Sequence, residues 1–277
     1  MYKRKAFLLG GLLTLIALVG VASYNPVVGP VINNTVEFRG KITIVTNITY
    51  SPFSSFSAAP TVLDFTSGNA PNGFSLPVLT TGVYALTFGE AGHFGMVNLS
   101  TGAGAGGASG ICSTGGNVGV VGGRKFVMFY RFRTPTALAD VTDNYTLILG
   151  GSDRTTITTM QWGMWVSYNY AVNSGQWVVN TGAASINSVN STTAVAAATW
   201  YDLLIVANAA ATQVDFHIST DYGVTWSLIQ SSTSQIPDGP PSGGQDTFGP
   251  YASITKSAGT NARILTIDTM GWGYFNE

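Results

Sequence analysis

Phe126-Val-Met-Phe-Tyr-Arg-Phe-Arg133 is the stretch whose reading decides the fold class. Side chains of an extended chain alternate between two faces. Phe126, Met128, Tyr130 and Phe132 therefore share one face, and Val127, Phe129, Arg131 and Arg133 share the other. One face is wholly aromatic or apolar and the other ends in two arginines, so the segment reads as a central strand with one buried face. Working outward, Trp200-Tyr-Asp-Leu-Leu-Ile-Val-Ala207 is apolar nearly throughout after Asp202, the pattern of a strand covered on both sides.

Similar blocks recur on both sides of these two. They are expected at 36–50, 62–65, 82–88, 95–99, 108–113, 144–149, 161–168, 176–180, 213–219, 225–230, 248–254 and 262–274, between clusters of Gly, Asn, Pro and Ser. No helical periodicity of any length follows Tyr24. Residues 51–77 carry four prolines and read as a connection with one short strand. About a dozen short strands predict an antiparallel sandwich of two packed sheets, with large aromatics supplying the burial at about 25 cal/mol per Å².

Composition narrows the function. Charged residues make up only 9% of the 277, while hydrophobic residues reach 45% and aromatic ones 12%, too many aromatics for a disordered chain. The uncharged polar surface that remains suits a protein held in an assembly or outside the cell. With 12 basic and 13 acidic residues, net charge −1, and no basic face beyond Lys3, Arg4 and Lys5, no nucleic-acid partner is expected. A single cysteine, Cys112, excludes an intrachain disulfide, and with His93 and His217 it offers too few ligands for zinc.

The blocks GHFGMVNLSTGAGAGGAS (92–109), FVMFYRFRTPTALADVTDNYTLILGGSD (126–153), GMWVSYN (163–169), ATWYDLLIVANAAATQVDFHIS (198–219) and ITKSAGTNARILTIDTMGWGY (254–274) resemble, in this order, the concanavalin-A-like lectin/glucanase jelly roll of bacteriophage tail and other virion-surface proteins. The resemblance implies an all-β jelly-roll β-sandwich of twelve to fourteen antiparallel strands, used for virion assembly with other copies of itself or other virion proteins, or for attachment to host-surface glycans. A secreted or membrane-anchored cellular carbohydrate-binding module is the alternative.

The N-terminus departs from a tail protein. Lys3-Arg4-Lys5 precedes an apolar run over residues 6–22 that ends in small residues. It reads as a cleaved signal peptide, an uncleaved membrane anchor forming one hydrophobic helix, or a plug buried in an assembly. All three place the remainder outside the cytoplasm or inside a particle, at a virion surface or extracellular. The expected organisation is residues 1–23 as signal or anchor, 24–80 as N-terminal strands and connection, and 81–277 as the jelly roll. Five Asn-x-Ser/Thr sequons, at Asn33, Asn47, Asn98, Asn144 and Asn190, permit glycosylation where the host performs it.

Chemical motifs are few. Ser219-Thr-Asp-Tyr-Gly-Val-Thr-Trp226 matches the Asp-box pattern, read here as a structural hairpin turn because a propeller would repeat it in every blade. Gly102-Ala-Gly-Ala-Gly-Gly107 satisfies G-x-G-x-x-G but no helix follows it, so a dinucleotide site is rejected. The glucanase branch of the resemblance carries its acids as E-x-D-x-E; the three glutamates here, Glu37, Glu90 and Glu277, have no acidic neighbour at that spacing. His217 lies within an alternating strand and His93 in a glycine-rich turn with no nucleophile signature. The chain is therefore read as not an enzyme, with no cofactor expected except calcium. Asp140, Asp143 and Asp153, in loops around the 144–149 strand, are the calcium candidates, with turn capping as the alternative. Trp162, Tyr168 and Tyr170 are the candidates for stacking on sugar rings, and alternation sets Trp165 on the face opposite Trp162 and Tyr168.

Overall fold

The computed structural model describes residues 74–87, 93, 95–113, 121–154, 156–157, 159–183, 185–237 and 249–275, with the strand backbones at 37–38, 42–43 and 61–64. The N-terminal hydrophobic segment, and most of the strand expected over 36–50, lie outside the described residues. Two units are distinguished, 1–54 and 55–277. In the first, β1 (Glu37–Phe38) pairs with β2 (Ile42–Thr43).

The second unit holds the other strands. They are β3 (Thr61–Asp64), β4 (Phe74–Ser75), β5 (Val78–Leu79), β6 (Val83–Thr87), β7 (Met96–Ser100), β8 (Ala108–Ser113), β9 (Lys125–Arg133) and β10 (Tyr145–Ser152). Then follow β11 (Gly163–Asn169), β12 (Gln176–Ala183), β13 (Ser185–Ala194), β14 (Trp200–Ala207), β15 (Val214–Ser219), β16 (Ser227–Ser232), β17 (Gly249–Lys256) and β18 (Ile264–Phe275). Sheet I runs β13-β12-β11-β10-β17-β8-β4, with β5 also on β8; sheet II runs β16-β15-β14-β9-β18-β7-β6, with β3 on β18. Every pairing is antiparallel, as expected for a jelly-roll sandwich. The sheets take in β3, β4 and β5, from the segment read as N-terminal connection.

The deciding stretch is β9, at the centre of sheet II between β14 and β18. Phe126, Met128, Tyr130 and Phe132 are all at most 1% exposed and join one core with Leu147 and Val166 of sheet I. Trp177 stands in its middle, with Phe132 and Tyr201 edge-on at 6.0 and 5.9 Å and Tyr168 at 6.4 Å. The Tyr130 hydroxyl crosses the core from sheet II: it donates to the Gly150 carbonyl at 2.6 Å and accepts from the Tyr251 amide at 3.2 Å. Gly150 and Tyr251 face each other on β10 and β17, so one side chain links three strands and both layers. On β14, Leu204 points away from this core and is still 2% exposed, which is the double coverage its sequence announced.

Local chemistry sets the edges. At Gly163, φ is +138° and an added Cβ would lie 2.0 Å from the Gly151 carbonyl oxygen, so only glycine lets β11 close on β10 there. The glycine-rich loop 102–107 runs into β8, a strand and not a helix, and is tied in place. Lys256, 1% exposed, donates from Nζ to the Gly102 carbonyl at 2.7 Å, while its backbone exchanges bonds with Gly106 and Gly107. Where β13 meets β16 the mouth of the sandwich is closed by polar groups. Ser232 Oγ accepts from Asn187 Nδ2 at 3.0 Å and donates to Thr181 Oγ1 at 2.8 Å, and Thr181 donates to the Ser234 carbonyl.

Candidate ligand-binding surface

The Asp-box turn joins β15 to β16 as a hairpin, as its sequence predicted. Asp221 accepts from the Thr225 amide at 2.9 Å and hydroxyl at 2.6 Å, and from Ser219 Oγ at 2.6 Å. These bonds, the Ser219 one first, hold the Asp221 carboxyl down at about 2. Gly223 has φ +79°, and Trp226 lies against it. The turn has a second consequence that spacing did not reveal. It projects Tyr222, 58% exposed, over the outer face of sheet II.

Beneath Tyr222 lies a network of charged and aromatic side chains. The Arg131 guanidinium sits 5.2 Å from the Tyr222 ring centre and grips Asp202 with two bonds, 2.7 and 2.8 Å. Asp202 and Arg131 face each other on β14 and β9. Burial works against the Arg131 charge, but the Asp202 hydrogen bonds and the fields of Asp202 and Asp268 outweigh it and raise its pKa. His93, 2% exposed, stacks on Trp200 at 3.7 Å with the rings 8° from parallel, and its Nδ1 is 2.9 Å from Asp268 Oδ2. Burial pushes the Asp268 carboxyl up, against the pull of His93 and Arg131. Arg133 lies 5.2 Å from the Trp200 ring centre, and Tyr222 is 6.0 Å from His93.

The two acids of this surface are engaged by basic partners. Asp202 is committed to Arg131 and Asp268 to His93, with side-chain exposures of 2% and 10%. Asp202 spends both of its oxygens on Arg131, and Asp268 gives Oδ2 to His93. Tyr222 instead offers an open ring face on a rigid mount. A depression of about 410 Å³ lined by Ala183, Ala211, Thr212, Thr233, Gln235 and Ile236 lies by the closed mouth of the sandwich and holds no ionisable side chain.

The aromatic residues singled out in the sequence are not brought together. Tyr168 is fully buried in the core, tilted against Tyr145 at 5.7 Å, and so corrects the expectation that it stacks on sugar. Trp162 is half-buried before β11 and Tyr170 is exposed after it, a strand length of about 25 Å apart. Trp165 lies on the opposite face from Tyr168, as alternation required, packed with Cys112, Met160 and Tyr251.

Nor do the three aspartates form one calcium cage. Asp140 Oδ1 takes the amides of Thr142 and Asp143. Asp143 takes Asn261 and Arg263, bonds that hold its carboxyl below the ordinary range. Asp153 is at the far end of β10, where it accepts from the Trp162 amide and pairs with Arg154. All three are occupied as turn and strand-end caps. Among the described residues no group of three or more His, Cys, Asp or Glu is placed to hold a metal, and no helix is long and apolar enough to cross a membrane. His217 is half-buried on β15, and burial lowers its pKa. The His93–Asp268 pair is what sequence reasoning missed: its members are 175 residues apart and share no local motif.

Comparison with known proteins agrees with this fold. Residues 92–268 match the family described as SO2946-like, C-terminal domain. The matched segment begins one residue before His93 and ends on Asp268. A protein of unknown function, SO2946 from Shewanella oneidensis MR-1, superposes with a TM-score of 0.54 at 17% identity, covering 78% of this chain and 86% of that one. Peanut lectin, in a complex with a nine-residue peptide, gives 0.52 at 10% identity, over 78% and 98% of the two chains. The Ca2+-bound exoplasmic/lumenal domain of VIP36 gives 0.51 at 10% identity, over 78% and 90%. These likenesses establish a lectin-like sandwich fold. Among curated proteins no relative matches in sequence.

Proposed function

The chain belongs to the SO2946-like family through its C-terminal domain, and from that premise we propose that it is a non-enzymatic binding protein that engages glycans with the outer face of sheet II. The observation that carries the reading is Tyr222: a 58% exposed ring, held by the Asp-box turn and backed by an Arg131 that is itself fixed by Asp202. An electron-rich ring face packs against the apolar C–H face of a sugar, and a pre-set ring loses little entropy on doing so. Lectin-like neighbours of the same fold support the reading. The domain is displayed at a virion surface or outside a cell, where the uncharged polar surface and the basic-then-apolar start of the chain would put it, and it serves attachment or assembly.

A glycan array probed with the full chain tests the binding. A defined subset of sugars is expected to bind, with Tyr222→Ala weakening that binding at least tenfold and leaving the thermal midpoint unchanged. A blank array from folded protein overturns the reading. Display is tested by mass spectrometry of purified particles from the source; a soluble protein absent from every particle overturns the virion setting.

A further inference from the structure

Arg131 holds Asp202 along only one of its edges. Nε and Nη2 donate side-on to the two carboxylate oxygens at 2.7 and 2.8 Å, which uses two of the five N–H groups of a guanidinium. The second hydrogen of Nη2 and both hydrogens of Nη1 have no acceptor among the described residues. Nη1 and Nη2 together therefore present a second fork of two parallel N–H bonds, on the edge that Asp202 leaves open. That edge is not sealed, since 12% of the Arg131 side chain is exposed. A guanidinium is not deprotonated in a folded protein, so the fork is a fixed positive donor. The same guanidinium lies beneath an aromatic ring. The Tyr222 ring centre is 5.2 Å from the guanidinium carbon, and that of Phe129 is 6.0 Å from it. Rings take the faces of a guanidinium and leave its edges to hydrogen-bond acceptors. Tyr222 also has φ +60°, a region in which a bulky side chain is an outlier, and the Asp221 bonds to Thr225 keep the turn in that form.

We propose that the ligand of this surface is an acidic glycan, whose sugar ring packs on Tyr222 while its carboxylate takes the open Nη1–Nη2 edge of Arg131. The inference rests on the glycan reading above and narrows it to uronic acids and other carboxylate-bearing sugars. Three features choose an acidic sugar over a neutral one. A carboxylate sets two acceptor oxygens in one plane, which is the match for a fork of two parallel N–H bonds. A sugar hydroxyl offers a single oxygen and brings a proton that needs an acceptor of its own. The donor is charged, and a bond between two charged groups is about twice as strong as one between neutral groups. The neighbouring acids do not occupy the open edge: Asp202 lies along the other one, and Asp268 is turned to His93 at 2.9 Å. Arg133, on the same face of β9 and 5.2 Å from the Trp200 ring centre, adds a second positive charge to this surface. Because Asp202 already fixes the guanidinium, little freedom is lost when the second carboxylate binds.

The test is an array on which each acidic glycan is printed beside its carboxyl-amidated form, a neutral group of the same shape, together with neutral and sulfated glycans, and probed with the full chain. Carboxylated sugars are expected to bind at least tenfold more tightly than their amides, and added salt is expected to narrow the gap. Arg131→Met/Asp202→Leu removes the fork together with the acid that faces it, so no buried charge is left alone. With its folding checked by the thermal midpoint, this double variant is expected to bind each acid no better than its amide. Tyr222→Ala is expected to weaken both members of a pair alike. Equal binding of acids and amides by the wild-type chain overturns the proposal, as does binding confined to neutral or to sulfated glycans, and in each case the glycan reading survives. A preference for acids that persists in the double variant overturns it too, because the carboxylate is then held elsewhere. An array blank throughout with folded protein sinks the glycan reading itself, and this inference with it.

Discussion

Removing one oxygen atom from the core should be felt across both sheets. Tyr130→Phe keeps the ring, its volume and its apolar contacts, and deletes only the hydroxyl that joins Gly150 to Tyr251. Tyr130 is fully buried, so water cannot take over either bond. Burial also pushes its phenol well above the ordinary value, so the hydroxyl stays protonated into alkali and the bridge persists there. Each intramolecular hydrogen bond contributes about 1 kcal/mol net, and a buried group left without its partner costs more, so the loss should be about 2–3 kcal/mol. For a domain of this size each kcal/mol moves the midpoint by about 2–4 °C, giving a drop of about 4–12 °C. Differential scanning calorimetry on the full chain measures it, and denaturant titration should show a shifted midpoint with an unchanged slope. A drop under about 1 °C would mean that the hydroxyl ties the layers together in geometry alone, and the account of the core given above would fail.

Arg131→Met should cost about 3–5 kcal/mol, because Asp202 is left charged and buried, while the double variant Arg131→Met/Asp202→Leu should recover most of that; urea midpoints of the three proteins decide it. Asp221, held down at about 2 against an ordinary 3.8, stabilises the fold above pH 3.8, and that contribution disappears as pH falls through 2. Asp221→Asn should accordingly flatten the acid limb of a stability-versus-pH curve between those values, and a limb of unchanged slope would rule the turn out as its source. The Cys112 thiol, fully buried and pushed up to about 12, should resist iodoacetamide in native protein and react at once in denaturant, as mass spectrometry of the modified peptide would show.

The layers of the sandwich were legible where burial is one-sided or complete. Phe126–Arg133 and Trp200–Ala207 announce themselves because a core demands apolar side chains at fixed intervals, and both became the strands expected of them. The 185–194 strand went unread for the opposite reason. An edge strand touches the core through little more than Val189, so its serines, asparagines and threonines look like a loop. The two-residue β4 and β5 leave too few positions for any alternation. At the site, the Asp-box was readable as a turn because its bonds are local. Its role as a mount for Tyr222 depends on β9 and β14, which no spacing encodes. Tyr168 misled because an aromatic on a strand looks the same from either side, and only the register with β10 shows that it turns inward.

The contact between His93 and Asp268 has a bearing on how the domain is wired. It fastens the opening of the family-matched segment, 92–268, to its close. Loosening either residue should therefore free both margins of that segment at once, although 175 positions of chain separate them.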